Sequence, residues 1–208
     1  MPDHVVVTGR GTAAAVPDVV ALSVRVQVEE VEASRALAAA ASAATAVLEA
    51  ARRHGVGERD LRTTDLGLHP RRDPEGQAVV AYVAHQRLRV RVRDTAAVGT
   101  VLEALAEAAG DAFGIDDLGF EVEDPRPLHD EARAAAFADA RARAEQYAAL
   151  AGRTLGPVLR VVEGDGSPVP VGRGRAMAAE SLSSMPVAAG ESQVHAAVVV
   201  RFALGSAR

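Results

Sequence analysis

The chain has 208 residues, 49% hydrophobic and 25% charged, with a net charge of −5, no Cys, no Trp and 3% aromatics. That length suits one large domain or two small ones, and the composition can bury a core. The weak acidic balance argues against broad nucleic-acid binding, and a Cys-free chain excludes disulfides, thiolate catalysis and Cys-ligated zinc.

The apolar content is mostly Ala and Val, which suggests Ala-rich helices packed closely on Val-rich strands. The opening "MPDHVVVTGRGTAAAVPD" lacks the basic stretch and apolar run of a secretory signal. No segment approaches ~18 uninterrupted apolar residues, so no membrane span is expected. A soluble, cytoplasmic protein is the expectation from these features.

Residues 4–10, "HVVVTGR", form a strand candidate. Gly9 and Gly11 in "GRG" predict a strand kink or bulge. This "GRG" and the "GRGR" at 172–175 are too short to cradle a phosphate, and no complete phosphate-binding motif occurs. In residues 16–32, Leu22, Val24, Val26 and Val28 alternate with Ser23, Arg25, Gln27 and Glu29, the period of a half-buried strand. Residues 33–55 are Ala-rich and close on Arg52, Arg53, His54 and Gly55, a basic last turn followed by a helix stop.

Residues 60–70 and 78–94 read as strands around the Pro/Gly turn "RRDPEGQ". Asp94 is the expected N-cap of a helix over 95–110, with Gly110 as its stop. A strand over 114–124 follows. The order β-α-β-β-α-β predicts a ferredoxin-like arrangement, an antiparallel sheet with two helices on one face.

Asp124 and Pro125 open a helix over 126–151, with Asp and Glu expected in its first turn. Phe137, Ala140, Ala144, Tyr147, Ala148 and Ala151 fall on one stripe, and Gly152 ends it. Strands are expected at 155–164 and 192–204. Between them lies the Gly/Pro/Ser-rich segment 165–191, long for a loop in a compact domain. The fold class is therefore α+β, a two-layer arrangement. A ferredoxin-like lobe spans 12–124, and a smaller α/β lobe spans 125–206 and takes in strand 4–11.

Two stretches resemble SIMPL-domain proteins of the YggE type. "VVVTGRGTAAAVPDVVALSVRVQVE" is similar to the family's opening, in which a V-x-G-x-G strand leads through small residues and P-D to a long strand. "EARAAAFADARARAEQYAALAGRTLGPVLRVVE" is similar to its second hallmark, a D-A-x-x-[RK]-A-E core followed by a Leu-Gly strand entry. The resemblance covers about 4–204, and the two lobes together would make one SIMPL-type domain. It implies an α+β fold, assembly into large oligomers, and a loose link to the cell envelope and oxidative-stress response, with no established catalytic activity. Members are often periplasmic or envelope-associated and commonly carry an export signal, which the opening of this chain does not resemble.

The chemical candidates are few. His129, Asp130 and Glu131 sit at the start of a helix, where positions two apart point about 200° apart and cannot converge on one ion. They are read as the beginning of a helix. The six His show no metal spacing, although His85 and His195 could converge in three dimensions. Ser183 and Ser184 have no nearby base, as nucleophilic catalysis requires. Arg87, Arg89, Arg91 and Arg93 form a row on one strand face. The row is an anion stripe or an interface ladder of cross-strand pairs, and the ladder is favoured, with Glu121 and Glu123 as partners on a neighbouring strand. Val169, Val171, Met177, Leu182, Met185 and Val187 in the long segment are the expected oligomer contacts.

The expected function is a non-enzymatic, self-assembling scaffold or interaction protein, with no cofactor, metal or nucleic-acid partner. Its first partner is itself, and an adaptor for one other protein is a weaker option. The alternative is a small-molecule binding protein or uncharacterised enzyme with a pocket between the two lobes.

Overall fold

The computed structural model describes residues 3–164 and 190–207. In chain order the elements are β1 (His4–Ala15), β2 (Val19–Glu30), α1 (Ala33–Arg53), β3 (Leu61–Arg72), β4 (Val79–Val92), α2 (Val98–Ala109), β5 (Phe113–Glu121), α3 (Arg126–Leu150), β6 (Arg153–Glu163) and β7 (Ser192–Ala207). The described residues divide into two compact units, one of 17–121 and one of 3–16, 122–164 and 190–207.

The first unit has the expected β-α-β-β-α-β order. Its four strands lie β3-β4-β2-β5, every neighbouring pair antiparallel. Alternation decides the two faces. Leu22, Val24 and Val26 of β2 and Leu88, Val90 and Val92 of β4 point toward the helices, where they meet Val47 of α1 and Val101 and Leu105 of α2. Each such side chain contributes roughly 1.5–3 kcal/mol when fully buried. Helix α1 ends on Arg52 and Arg53, and the chain turns away at Gly55, whose φ of 85° a residue with a Cβ rarely adopts. Asp94 does act as a cap, accepting the Ala96 amide at 3.0 Å. It caps a short 3-10 turn, Thr95–Ala97, that leads into α2.

The second unit is a three-stranded antiparallel sheet, β1-β7-β6, with α3 against β1 and β7. The residues that α3 buries are Leu128, Ala132, Ala136, Ala140, Ala144 and Ala148. A strict spacing of four precesses about 40° per step round the helix, an inclined row that a twisted sheet can follow. Tyr147, 57% exposed, and Ala151 fall off this stripe, and Phe137 packs at its margin. The stripe expected from the sequence thus has Ala140, Ala144 and Ala148 right, omits Leu128, Ala132 and Ala136, and is wrong in Tyr147 and Ala151. The acidic first turn is also corrected: Asp130 and Glu131 lie one turn further in, and Asp124, ahead of the helix, accepts the Arg126 amide at 3.1 Å.

The kink expected at Gly9 and Gly11 is absent. Strand β1 keeps an unbroken register with β7 from His4 to Ala15. The glycines serve close approach instead. A Cβ on Gly9 would fall on the Ala136 carbonyl oxygen and lie 2.5 Å from the Ala140 amide nitrogen, and one on Gly11 would fall on the Ala132 carbonyl oxygen. Between them, the Arg10 amide on the edge of β1 donates to Asp139 of α3 at 2.9 Å. That amide, with Arg143 donating to the other carboxylate oxygen at 3.0 Å, holds the Asp139 carboxyl below its usual range.

Replacing Gly9 or Gly11 with Ala should therefore cost about 3 kcal/mol or more, because the new methyl meets helix backbone that cannot rotate aside. Gly99→Ala in α2, where a Cβ meets nothing within 4 Å, should instead raise stability by up to about 1 kcal/mol. Chemical denaturation of the three variants checks both signs.

Candidate functional site

The face of the four-stranded sheet turned away from α1 and α2 carries a cluster of charged side chains. The period of two along β4 puts Arg87, Arg89 and Arg91 on that face while Leu88, Val90 and Val92 fill the core. Arg93 follows at the end of the strand. The predicted row is therefore present as a row, but its four members have different surroundings.

Arg87 is fully engaged. It donates to Asp116 at 2.7 Å, lies 3.6 Å from Asp65, and shares Asp116 with Arg25, its cross-strand neighbour. Arg89 pairs with Glu121, and Arg91 lies 3.7 Å from the same carboxylate. Glu121 is on β5, which does not neighbour β4, because β2 lies between them. Two strand spacings are about 10 Å. An arginine spans that distance here because the β2 residues beneath are small: Ala21 is in register with Arg91, and Ser23 with Arg89. The expected acidic partner is thus found two strands away rather than one, and Glu123 lies beyond the end of β5. Sequence inspection missed Asp65 and Asp116. Each is an isolated acid in a strand, and only the register shows which arginine it meets.

Arg93 makes a two-pronged pair with Asp60, at 2.7 and 3.0 Å. Asp60 is 5% exposed, the one buried charged residue among the described residues. Hydrogen bonding from Arg93 holds its carboxyl below the usual range, against the opposing effect of burial.

Beside this pair lies an open cleft of about 420 Å³, lined by Arg59, Asp60, Arg62, Arg89, Arg91 and Glu121. Arg62 stands directly across from Arg89 in the β3–β4 register. The Arg91 Nε is buried without an acceptor among the described residues.

The other sequence candidates lie elsewhere or outside the described residues. His129, Asp130 and Glu131 are exposed along α3, where Asp130 takes Arg133 at 2.9 Å and Arg133 continues to Glu163 of β6 at 2.8 Å. His85 meets Asp65 at 3.1 Å, and His195 is on β7 of the other unit. Among the described residues no three His, Asp or Glu side chains gather to hold a metal ion. Ser183 and Ser184, the "GRGR" of 172–175, and Val169, Val171, Met177, Leu182, Met185 and Val187 lie outside the described residues.

A second surface stands out by its apolar exposure. Strand β6 is an outer strand, and Val158, Leu159, Val161 and Val162 are each 40–49% exposed. Val158 and Val161 pair with the buried Phe202 and Val200 on the helix side of the sheet, yet they lie outside the cover of α3. Val162 lies across from Val199 and lines a shallow groove with Val6 between Arg160 and Arg201 on the opposite face.

The Asp60–Arg93 pair should matter to folding. Asp60→Asn should cost roughly 2 kcal/mol or more at neutral pH, by leaving the Arg93 guanidinium half-buried against a neutral amide. The lowered carboxyl contributes stability above the unfolded value of about 3.9 and loses it as pH falls through the lower folded value. The gap between parent and variant should therefore be widest near neutrality and close below about pH 4, as denaturation at several pH values would register.

Comparison with known proteins identifies the family. The profile of the SIMPL family, described as a protein of unknown function (DUF541), matches residues 5–202. The chain is 32% identical over 213 residues to the 26 kDa periplasmic immunogenic protein of Brucella melitensis, covering 97% of this chain and 84% of that one. It is 27% identical over 165 residues to the uncharacterized protein YggE of Escherichia coli K12, covering 77% and 66%. The solved structure of AtUAH with glyoxylate overlaps 53% of this chain and 30% of its own at 19% identity, with a TM-score of 0.33, too low to equate the folds. With the profile spanning nearly the whole chain, and with both sequence hallmarks in place, this protein belongs to the SIMPL family.

Proposed function

We propose that this chain is a non-catalytic interaction protein that assembles with copies of itself by strand addition at the free edge of β6. The observation that carries this reading is the exposure of Val158, Leu159, Val161 and Val162 along an outer strand. A strand edge has amides and carbonyls that a second strand can take, and apolar side chains on both faces reward the pairing. Soluble monomers normally blunt such an edge with charge or proline; β6 has Pro157 ahead of the apolar run and Arg160 within it, so the edge open to pairing is residues 158–163. The other outer strand of the same sheet differs, since β1 gives its Arg10 amide to Asp139.

The reading does not depend on compartment. The Brucella relative is periplasmic by name, and a chain without Cys folds alike in oxidising and reducing surroundings. The long segment with Val169, Val171, Met177, Leu182, Met185 and Val187 would act as an arm that adds contacts to the same assembly. A stress-linked role would then be exercised through what the assembly holds rather than through chemistry of its own.

Light scattering behind size exclusion tests this. The intact chain should run as a large particle whose mass does not change with concentration. Leu159→Lys/Val161→Lys should run as a smaller species with an unchanged circular dichroism spectrum. A monomeric intact chain would remove the assembly reading, and a double variant that assembles like the parent would remove β6 as the joint. A chain lacking 166–190 tests the arm separately.

A further inference from the structure

We infer that the cleft lined by Arg59, Arg62, Arg89, Arg91 and Glu121 is a binding site for a small phosphorylated metabolite. It lies wholly within the ferredoxin-like unit and is independent of the assembly at β6. Three observations carry it. First, the charge is not balanced. Asp60, the sixth lining residue, is taken up by Arg93 in a two-pronged pair and lies 3.8 Å from Arg59, which leaves Arg62, Arg89 and Arg91 facing Glu121 alone. Second, Arg62 and Arg89 stand directly opposite each other in the sheet. Like charges in that position repel and destabilise the pairing. The contrast lies on the same face, where the opposed Arg25 and Arg87 have Asp116 between them, at 3.5 and 2.7 Å. Arg62, exposed on β3, has no acidic partner among the described residues. Third, the Arg91 Nε is a buried donor without an acceptor. Such a group costs free energy unless something accepts from it.

An oxyanion in the cleft answers all three. It would lie between Arg62 and Arg89, accept from the Arg91 Nε once that side chain, 30% exposed, turns toward the cleft, and face the exposed Arg59 on the open side. Guanidinium forks match the paired oxygens of a phosphate group. The volume of about 420 Å³ exceeds what one phosphate fills, so the group would carry a further polar body. The lining has no aromatic side chain, so there is no platform for a nucleobase. A sugar-phosphate type of ligand fits, and a nucleotide does not.

The test is calorimetric titration of the full chain with pyrophosphate and with fructose 1,6-bisphosphate, at ionic strength held constant with sodium chloride. Saturable binding, one ligand per chain, is expected. Arg62→Gln removes an exposed, unpaired side chain and should fold normally, yet weaken binding about tenfold, the loss of one charge-assisted hydrogen bond. Arg35→Gln, the same charge change on α1, should leave binding within about twofold, since Arg35 pairs with Glu32 away from the cleft. Glu121→Gln should tighten it. Absence of saturable binding for both probes would overturn the proposal. So would an equal loss in Arg62→Gln and Arg35→Gln, which would mean diffuse charge attraction. Binding of heparin alone would do the same, by making the face a polyanion patch rather than a site.

Discussion

The second unit depends on backbone meeting backbone. The Ala132 and Ala136 carbonyls lie where Cβ atoms of Gly11 and Gly9 would otherwise be, so α3 settles onto β1 with no strand side chain between at those two positions. Everything else in that unit is consistent with the closeness. The face that α3 presents is Leu128 followed by five alanines, because nothing larger fits between helix and strand. At this short range Asp139 reaches the Arg10 amide, which closes one edge of the sheet. The helix gains little from hydrophobic area per residue there, and many close contacts stand in its place.

The same closeness leaves β6 outside. A helix centred on β1 and β7 covers Val200 and Phe202 but not their cross-strand neighbours Val161 and Val158. The apolar outer strand is thus a geometric consequence of where α3 sits, and it is the feature from which the assembly proposal starts. Three strands under one helix cannot bury both outer strands alike.

The ferredoxin-like unit solves a different problem. Its core is built from Val and Leu on alternate positions of β2 and β4, which forces the intervening arginines onto the other face. Four arginines in a row along one strand would repel one another in isolation. Small residues at Ala21 and Ser23 let two of them lie across β2 to Glu121, and Asp116, Asp65 and Asp60 meet the others. The compensation is uneven, complete around Arg87 and Arg93 and incomplete around Arg62 and Arg91. The uneven part coincides with a concave surface, which a purely structural ladder would not need.

What the amino-acid order determined by itself is local. The alternation in β2 and β4, the Ala-rich runs of α1 and α3, the stops at Gly55 and Gly152, and the element order that makes the ferredoxin-like unit are all readable. Each depends on residues within one or two turns or strand repeats. The arginine row was legible for the same reason. What tertiary structure alone decided is which distant atoms meet. Gly9 and Gly11 look alike whether a strand bulges or a helix presses on it, and only the position of α3 distinguishes the two. The carboxylates that meet the arginines come from Asp60, Asp65, Asp116 and Glu121, on segments whose register is set by pairing across 20 to 33 residues of chain. The exposure of β6 likewise depends on how far one helix extends over its sheet. Period and propensity are properties of a segment, whereas register, close approach and cover are properties of the packed whole.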